Sequence, residues 1–207
     1  MECWSKSGDP VAPARVEELL EQAFRDYSES GDKELMPNLR TFTMAILTFS
    51  KNNGQFQKAR DLLTQLISLY AETQDPDLLP NAYPFNYVLD CAANSYEDKT
   101  AAFHCATQTY QEMRRSKYVA PDSFTYNFWL KCCSNLLPES DMRSKCVKYA
   151  MEECKQAGHL SQPVLNRLLR GSNPGLVSQI LELDLTPSSL RSLRVEDLNP
   201  RWSRSAA

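Results

Sequence analysis

The strongest constraint on what this chain can fold into is a short pattern that it carries three times. PNLRTFTMAIL from Pro37, PNAYPFNYVLD from Pro80 and PDSFTYNFWLK from Pro121 each run proline, Asn or Asp, three variable residues, an aromatic, Thr or Asn, then an apolar run. The prolines lie 43 and 41 residues apart. Self-similarity at such a period marks a repeat built from helical hairpins, in which each unit buries its apolar face against its neighbours.

The spacing within each copy predicts a helix. Phe42, Ala45, Ile46 and Phe49 follow the first proline, and Phe85, Val88, Leu89 and Ala92 follow the second at the same offsets. Tyr126, Trp129, Leu130 and Cys133 do so in the third, always with the three-and-four spacing of one helical face. A second helix follows in each unit, in QKARDLLTQLISLYAE, KTAAFHCATQTYQEMRRS and SDMRSKCVKYAMEECKQAG. Its packing columns are read as Leu62, Cys105 and Cys146, then Ile67, Tyr110 and Met151, then Tyr70, Met113 and Cys154. Prolines and Asn or Asp cluster in AETQDPDLLPN and KYVAPD, where a helix has to stop, while Pro84 sits in a first turn that does not need its missing N–H.

The predicted architecture is all-α, a right-handed solenoid of stacked antiparallel helix hairpins. Residues 1–36 form a truncated opening repeat, since Trp4–Gly8 resembles the helix end at Phe49–Gly54, so the chain is expected to enter inside a repeat. Full units follow at 37–79, 80–120 and 121–160. Two short capping helices are expected over 161–185, in SQPVLNRLLRG and GLVSQILELDL, and an irregular tail over 186–207 that frays or packs on the last helix.

Composition excludes several classes. The net charge of −3 and a pI near 5.5 give no global basic field, so any polyanion has to be held locally. No apolar run is long enough for a membrane span, and the acid-bearing opening MECWSKSGDPVAPARVEELLEQAF is neither a secretory signal nor a transit peptide. Seven cysteines without a framework spacing fit free thiols in an intracellular, reducing setting. Cys132, Cys133, Cys146, Cys154 and His159 offer no CxxC, and three of the cysteines fall in columns held elsewhere by Leu, Tyr or Met, so they read as core and no metal site is expected. No nucleophile motif, phosphate loop or dinucleotide glycine pattern occurs, and the chain is expected to be neither an enzyme nor a cofactor binder.

Taken together, the proline, the Asn or Asp, the aromatic-Asn pair opening a helix and the small-rich second helix resemble the pentatricopeptide repeat. PDSFTYNFWL lies nearest the family consensus, and the resemblance runs over roughly residues 1–160. The units are longer than the family's usual repeat, as in its algal long-repeat members and in the repeats of protein-only RNase P. The resemblance implies single-stranded RNA as partner, one base per repeat, with function in organellar RNA processing or expression in a mitochondrion or plastid. Its two readers per repeat are the residue after the aromatic and the Asn or Asp after the closing proline. They map to Thr43 with Asn81 and to Asn86 with Asp122, with Asn127 opening a third pair and Asn38 closing the first, truncated unit. The family pattern then implies adenine followed by uracil.

Each of these residues has a structural reading as well. Asn38, Asn81 and Asp122 stand where helix N-caps stand, whereas Asn86, Asn127 and Thr43 lie inside helices, where Asn and Thr cost propensity. Phe85 and Trp129 read as core, while Tyr83 and Tyr87 are open to either role. At roughly 1 to 3 kcal/mol per read base, two pairs supply about 2 to 6 kcal/mol, near millimolar affinity before phosphate contacts. The competing class is a helical-repeat scaffold that binds protein, because related tetratricopeptide hairpins hold peptides.

Overall fold

The computed structural model describes residues 2–52, 55–183 and 192–205, residues 5–7 by their backbone alone. The described residues form an all-α structure without strands. Its helices are α1 (Glu2–Ser7), α2 (Ala12–Ser30), α3 (Leu39–Lys51), α4 (Phe56–Thr73), α5 (Ala82–Ala93), α6 (Lys99–Arg115), α7 (Ser123–Leu136), α8 (Asp141–Ala157), α9 (Gln162–Gly171) and α10 (Pro174–Leu181). None is long and apolar enough to cross a membrane. Asn53 and Gly54 of the motif likened to Trp4–Gly8, residues 184–185 of the expected capping segment, and 186–191 and 206–207 of the expected tail lie outside the described residues.

The chain divides into two compact units, Met1–Ala120 and Pro121–Ala207, with the boundary at the third repeated proline. In the first unit α3 packs on α1, α2, α4 and α5, while α6 packs on α4 and α5. The apolar residues read from the repeat fill this core: Phe42, Ala45, Ile46, Phe49, Val88, Leu89 and Ala92 are fully buried and Phe85 nearly so. The second-helix columns hold in α6 and, with Met151 and Cys154 buried and Cys146 half-buried, largely in α8, but shift in α4. α4 buries Ala59, Leu63 and Leu66 and leaves Leu62, Ile67 and Tyr70 half-covered, whereas α6 buries Cys105, Tyr110 and Met113. A helix face is wider than one column, so where α4 carries large leucines it turns those toward α3 and α5, and the flanking residues form its shoulder.

A device repeats in the linkers ahead of the prolines. Five residues before each stands Asp32, Asp75 or Ser116, whose side-chain oxygen accepts the backbone N–H two residues on, from Glu34, Asp77 and Tyr118 respectively. At the first two the chain makes a 3-10 turn, Lys33–Leu35 and Pro76–Leu78. An apolar residue follows two before the proline: Leu78 is buried with Phe42 and Leu66, and Val119 joins the core of Ile46 and Phe85.

In the second unit α7 packs on α8 and α9, and α10 on α8 and α9. Tyr126, Trp129, Leu130 and Cys133 are buried, as the repeat predicts. The segment 192–205 packs on α8 and the turn after it: Leu160 N donates to Trp202 O at 2.7 Å, and Ser205 N to Gly158 O at 2.8 Å. Lys155, only 7% exposed, joins three parts of this unit, since its Nζ donates to Ile180 O at 2.9 Å, pairs with Glu182 at 3.1 Å and lies 4.6 Å from the Trp202 ring centre.

Candidate nucleic-acid interface

The first-helix starts position the candidate readers. Asn38, Asn81 and Asp122 are the N-caps of α3, α5 and α7, each in extended backbone with Oδ1 accepting a first-turn N–H: Thr41 at 3.1 Å, Tyr83 at 3.1 Å and Thr125 at 2.8 Å. Asp122 completes a capping box, its own N–H donating to Thr125 Oγ1 at 3.0 Å. In the asparagines the cap engages Oδ1, and the amide NH2 stays a donor. Capping and recognition therefore draw on different atoms of one side chain.

The offset-six residues differ in depth. Thr43 is 7% exposed and its Oγ1 donates to Leu39 O at 2.7 Å, so what the hydroxyl still has to offer is its capacity as an acceptor. Asn86 is 3% exposed and belongs to the packed face of α5. Asn127, half-buried on α7, accepts from Arg167 Nε of α9 at 3.5 Å.

Thr43 and Asn81 come together. They line one shallow cavity of about 280 Å³ with Leu39, Arg40, Met44, Tyr83 and Tyr87, where the ends of α3 and α5 meet. The Tyr83 and Tyr87 rings lie 6.5 Å apart and tilted by 31°, with Tyr83 more than half exposed. Burial, then Tyr83 and Asp90, push the Tyr87 hydroxyl above its ordinary range and keep it a donor. Arg40, largely in solvent, pairs with Glu2 at 2.6 Å. Arg40 and Tyr83 each stand three residues after their proline, a column that also holds Phe124, exposed on α7. The sequence pattern treated these as variable, although a planar side chain at every copy was the available signal.

A second omission concerns α9, which packs on α7 much as α5 packs on α3. LSQPVLNRLL from Leu160 matches PNAYPFNYVL from Pro80, with Ser161 at the N-cap position, buried Leu165 in place of Phe85 and Asn166 at offset six. The loss of the proline and the aromatic hid this fourth copy. Ser161 thus takes the closing position that Asn127 lacks, and makes no cap bond of its own.

Among the described residues no group of three or more His, Cys, Asp or Glu could hold a metal. Cys91, Cys105, Cys132, Cys133 and Cys154 are buried free thiols, Cys146 is half-buried and Cys3 exposed.

These features define a class: an all-α protein of successive helix pairs that sets short polar side chains at the starts of its first helices. The chain matches no protein-family model, no curated protein and no solved structure.

Proposed function

We propose that the chain is a single-stranded RNA-binding repeat module of the pentatricopeptide type, its units continuing as a right-handed solenoid, without enzymatic activity of its own and serving RNA processing or expression in an organelle. The observation that carries this reading is the cavity shared by Thr43 and Asn81, two residues paired in the sequence only by their places in the repeat. Within each unit, first helices also pack on first helices, α1 on α3, α3 on α5 and α7 on α9, as stacked hairpins require.

The chemistry of the cavity suits an unstacked base. Tyr83 and Arg40 are planar side chains at its edge, fit to cover a base face. Thr43 Oγ1 is an acceptor and Asn81 Nδ2 a donor, which complement the N6 amino group and N1 of adenine. Guanine held in the same orientation presents O6, an acceptor, to the Thr43 acceptor and N1–H, a donor, to the Asn81 donor, a mismatch at both atoms. Asn86 lies on the packed face of α5, so the Thr43–Asn81 pair dominates discrimination in the first unit. Asn127, with Arg167 beside it and Ser161 at the closing position, is the third candidate.

The test exploits the separation of cap from reader. Asn81→Asp keeps an equally good cap, so stability should hold, but exchanges the donor for an acceptor. Preference measured with single-stranded oligonucleotides should move from adenine toward guanine by about tenfold. Thr43→Asn should move it toward pyrimidine. Equal weakening for every RNA, or no binding at low salt, would remove base reading and leave the protein scaffold.

A further inference from the structure

A further cavity of the first unit, about 670 Å³, lies elsewhere, between the second helices α4 and α6 and the Ser116–Tyr118 linker. Its floor is apolar: Ile67 and Tyr70 from α4, Phe85 from α5, and Tyr118, more than half exposed, whose ring meets Tyr70 edge-on with centres 5.3 Å apart. One wall holds Arg60, whose charge is met by Glu112 at 2.6 Å. At the other end Arg115 and Lys117 are exposed, and neither has an ion-pair partner among the described residues. Three glutamines, Gln74, Gln108 and Gln111, complete the lining.

We propose that this groove docks an acidic segment of a partner protein, an extended peptide that places an apolar side chain on the Tyr70–Tyr118 floor and a carboxylate at Arg115 and Lys117. The volume takes a few side chains rather than a folded surface. The unmatched charge in the groove is positive on a chain that is negative overall, so complementarity selects an acidic segment. The Gln108 and Gln111 amides offer donor and acceptor together, which suits a peptide backbone, whereas Gln74 spends its NH2 on the Tyr70 and Ala71 carbonyls and offers its Oε1 alone. A nucleic-acid track would need a longer run of cations, and the face of one tyrosine is taken by the edge of the other.

This surface is separate from the Thr43–Asn81 cavity, and the experiment keeps the two apart. A displayed library of random short peptides is selected on the full chain, and the enriched peptides are synthesised and titrated by fluorescence anisotropy. The expected consensus is an aromatic or aliphatic residue flanked by Asp or Glu. Arg115→Glu with Lys117→Glu should weaken these peptides by about tenfold or more. Tyr118→Ala should also weaken them, whereas Arg40→Ala and Tyr83→Ala should not. Both charge changes are on exposed positions, and an unchanged thermal melt confirms the fold. Absence of enrichment, a consensus without acidic residues, or peptides that bind the double variant equally well would overturn the proposal. So would single-stranded RNA losing affinity in the double variant while the peptides do not.

Discussion

At the scale of single residues, the thiols give the most direct check on burial. Burial pushes Cys154 up to about 12, and raises Cys91, Cys105 and Cys133 as well, with Arg60 offsetting part of the effect at Cys105. Because the thiolate is the reactive form, a disulfide reagent near pH 8 should label Cys3 first and Cys146 slowly, and the buried five only on unfolding. Early labelling of Cys133 or Cys154 would contradict the packing. The neutral thiol is the folded form, so this contribution is intact below the ordinary value of 9.0 and is lost as pH rises toward 12. Melting temperature should accordingly fall in that alkaline window. Cys105 and Cys154 were legible as core because their columns hold Leu, Tyr or Met elsewhere, whereas Cys146, read the same way, is only half-buried. The depth of Asn86 was not legible, since periodicity tells which way a residue points and not how closely the next helix covers it.

At the scale of elements, the first helices could be read almost completely, because proline, cap and aromatic each fix a different part of the start. Asp122→Ala should cost about 1 kcal/mol through loss of the capping box, whereas Asp122→Asn should leave stability nearly unchanged. Thermal melts of the two variants decide this, and equal losses would mean that the carboxylate charge, rather than the cap, holds the turn. The linker turns were harder to see. Asp32, Asp75 and Ser116 act alike only because their side-chain oxygens make the same bond, and two residue types serve one geometry. The helix α9 itself was legible, but its kinship with the repeated first helices escaped for a related reason: Leu165 fills the place of an aromatic and Ser161 that of Asn, so the letters change while the packing stays.

At the scale of the molecule, each unit carries its own buried side chains, and residues 1–120 made as a separate chain should keep helical circular dichroism and melt cooperatively. A gradual, non-cooperative melt would show that this unit depends on residues beyond Ala120. The second unit contains a point with little tolerance, Gly158, which ends α8 at φ +76 with Arg204 and the carbonyl of Arg201 close above it. A left-handed backbone there costs most L residues about 1 to 2 kcal/mol, and Asn is among the few that bear it well. In the genetic code, a single-nucleotide change turns glycine into alanine, valine, serine, cysteine, arginine, tryptophan, aspartate or glutamate, and asparagine is two changes away. Aspartate is the one reachable residue with some left-handed tolerance, and its Cβ, like that of asparagine, would meet Arg204 Cγ at 2.6 Å. Variation at this codon has to pass through side chains that press on Arg204, so the tail's anchorage is held in place by the fold, and the code opens no way around it.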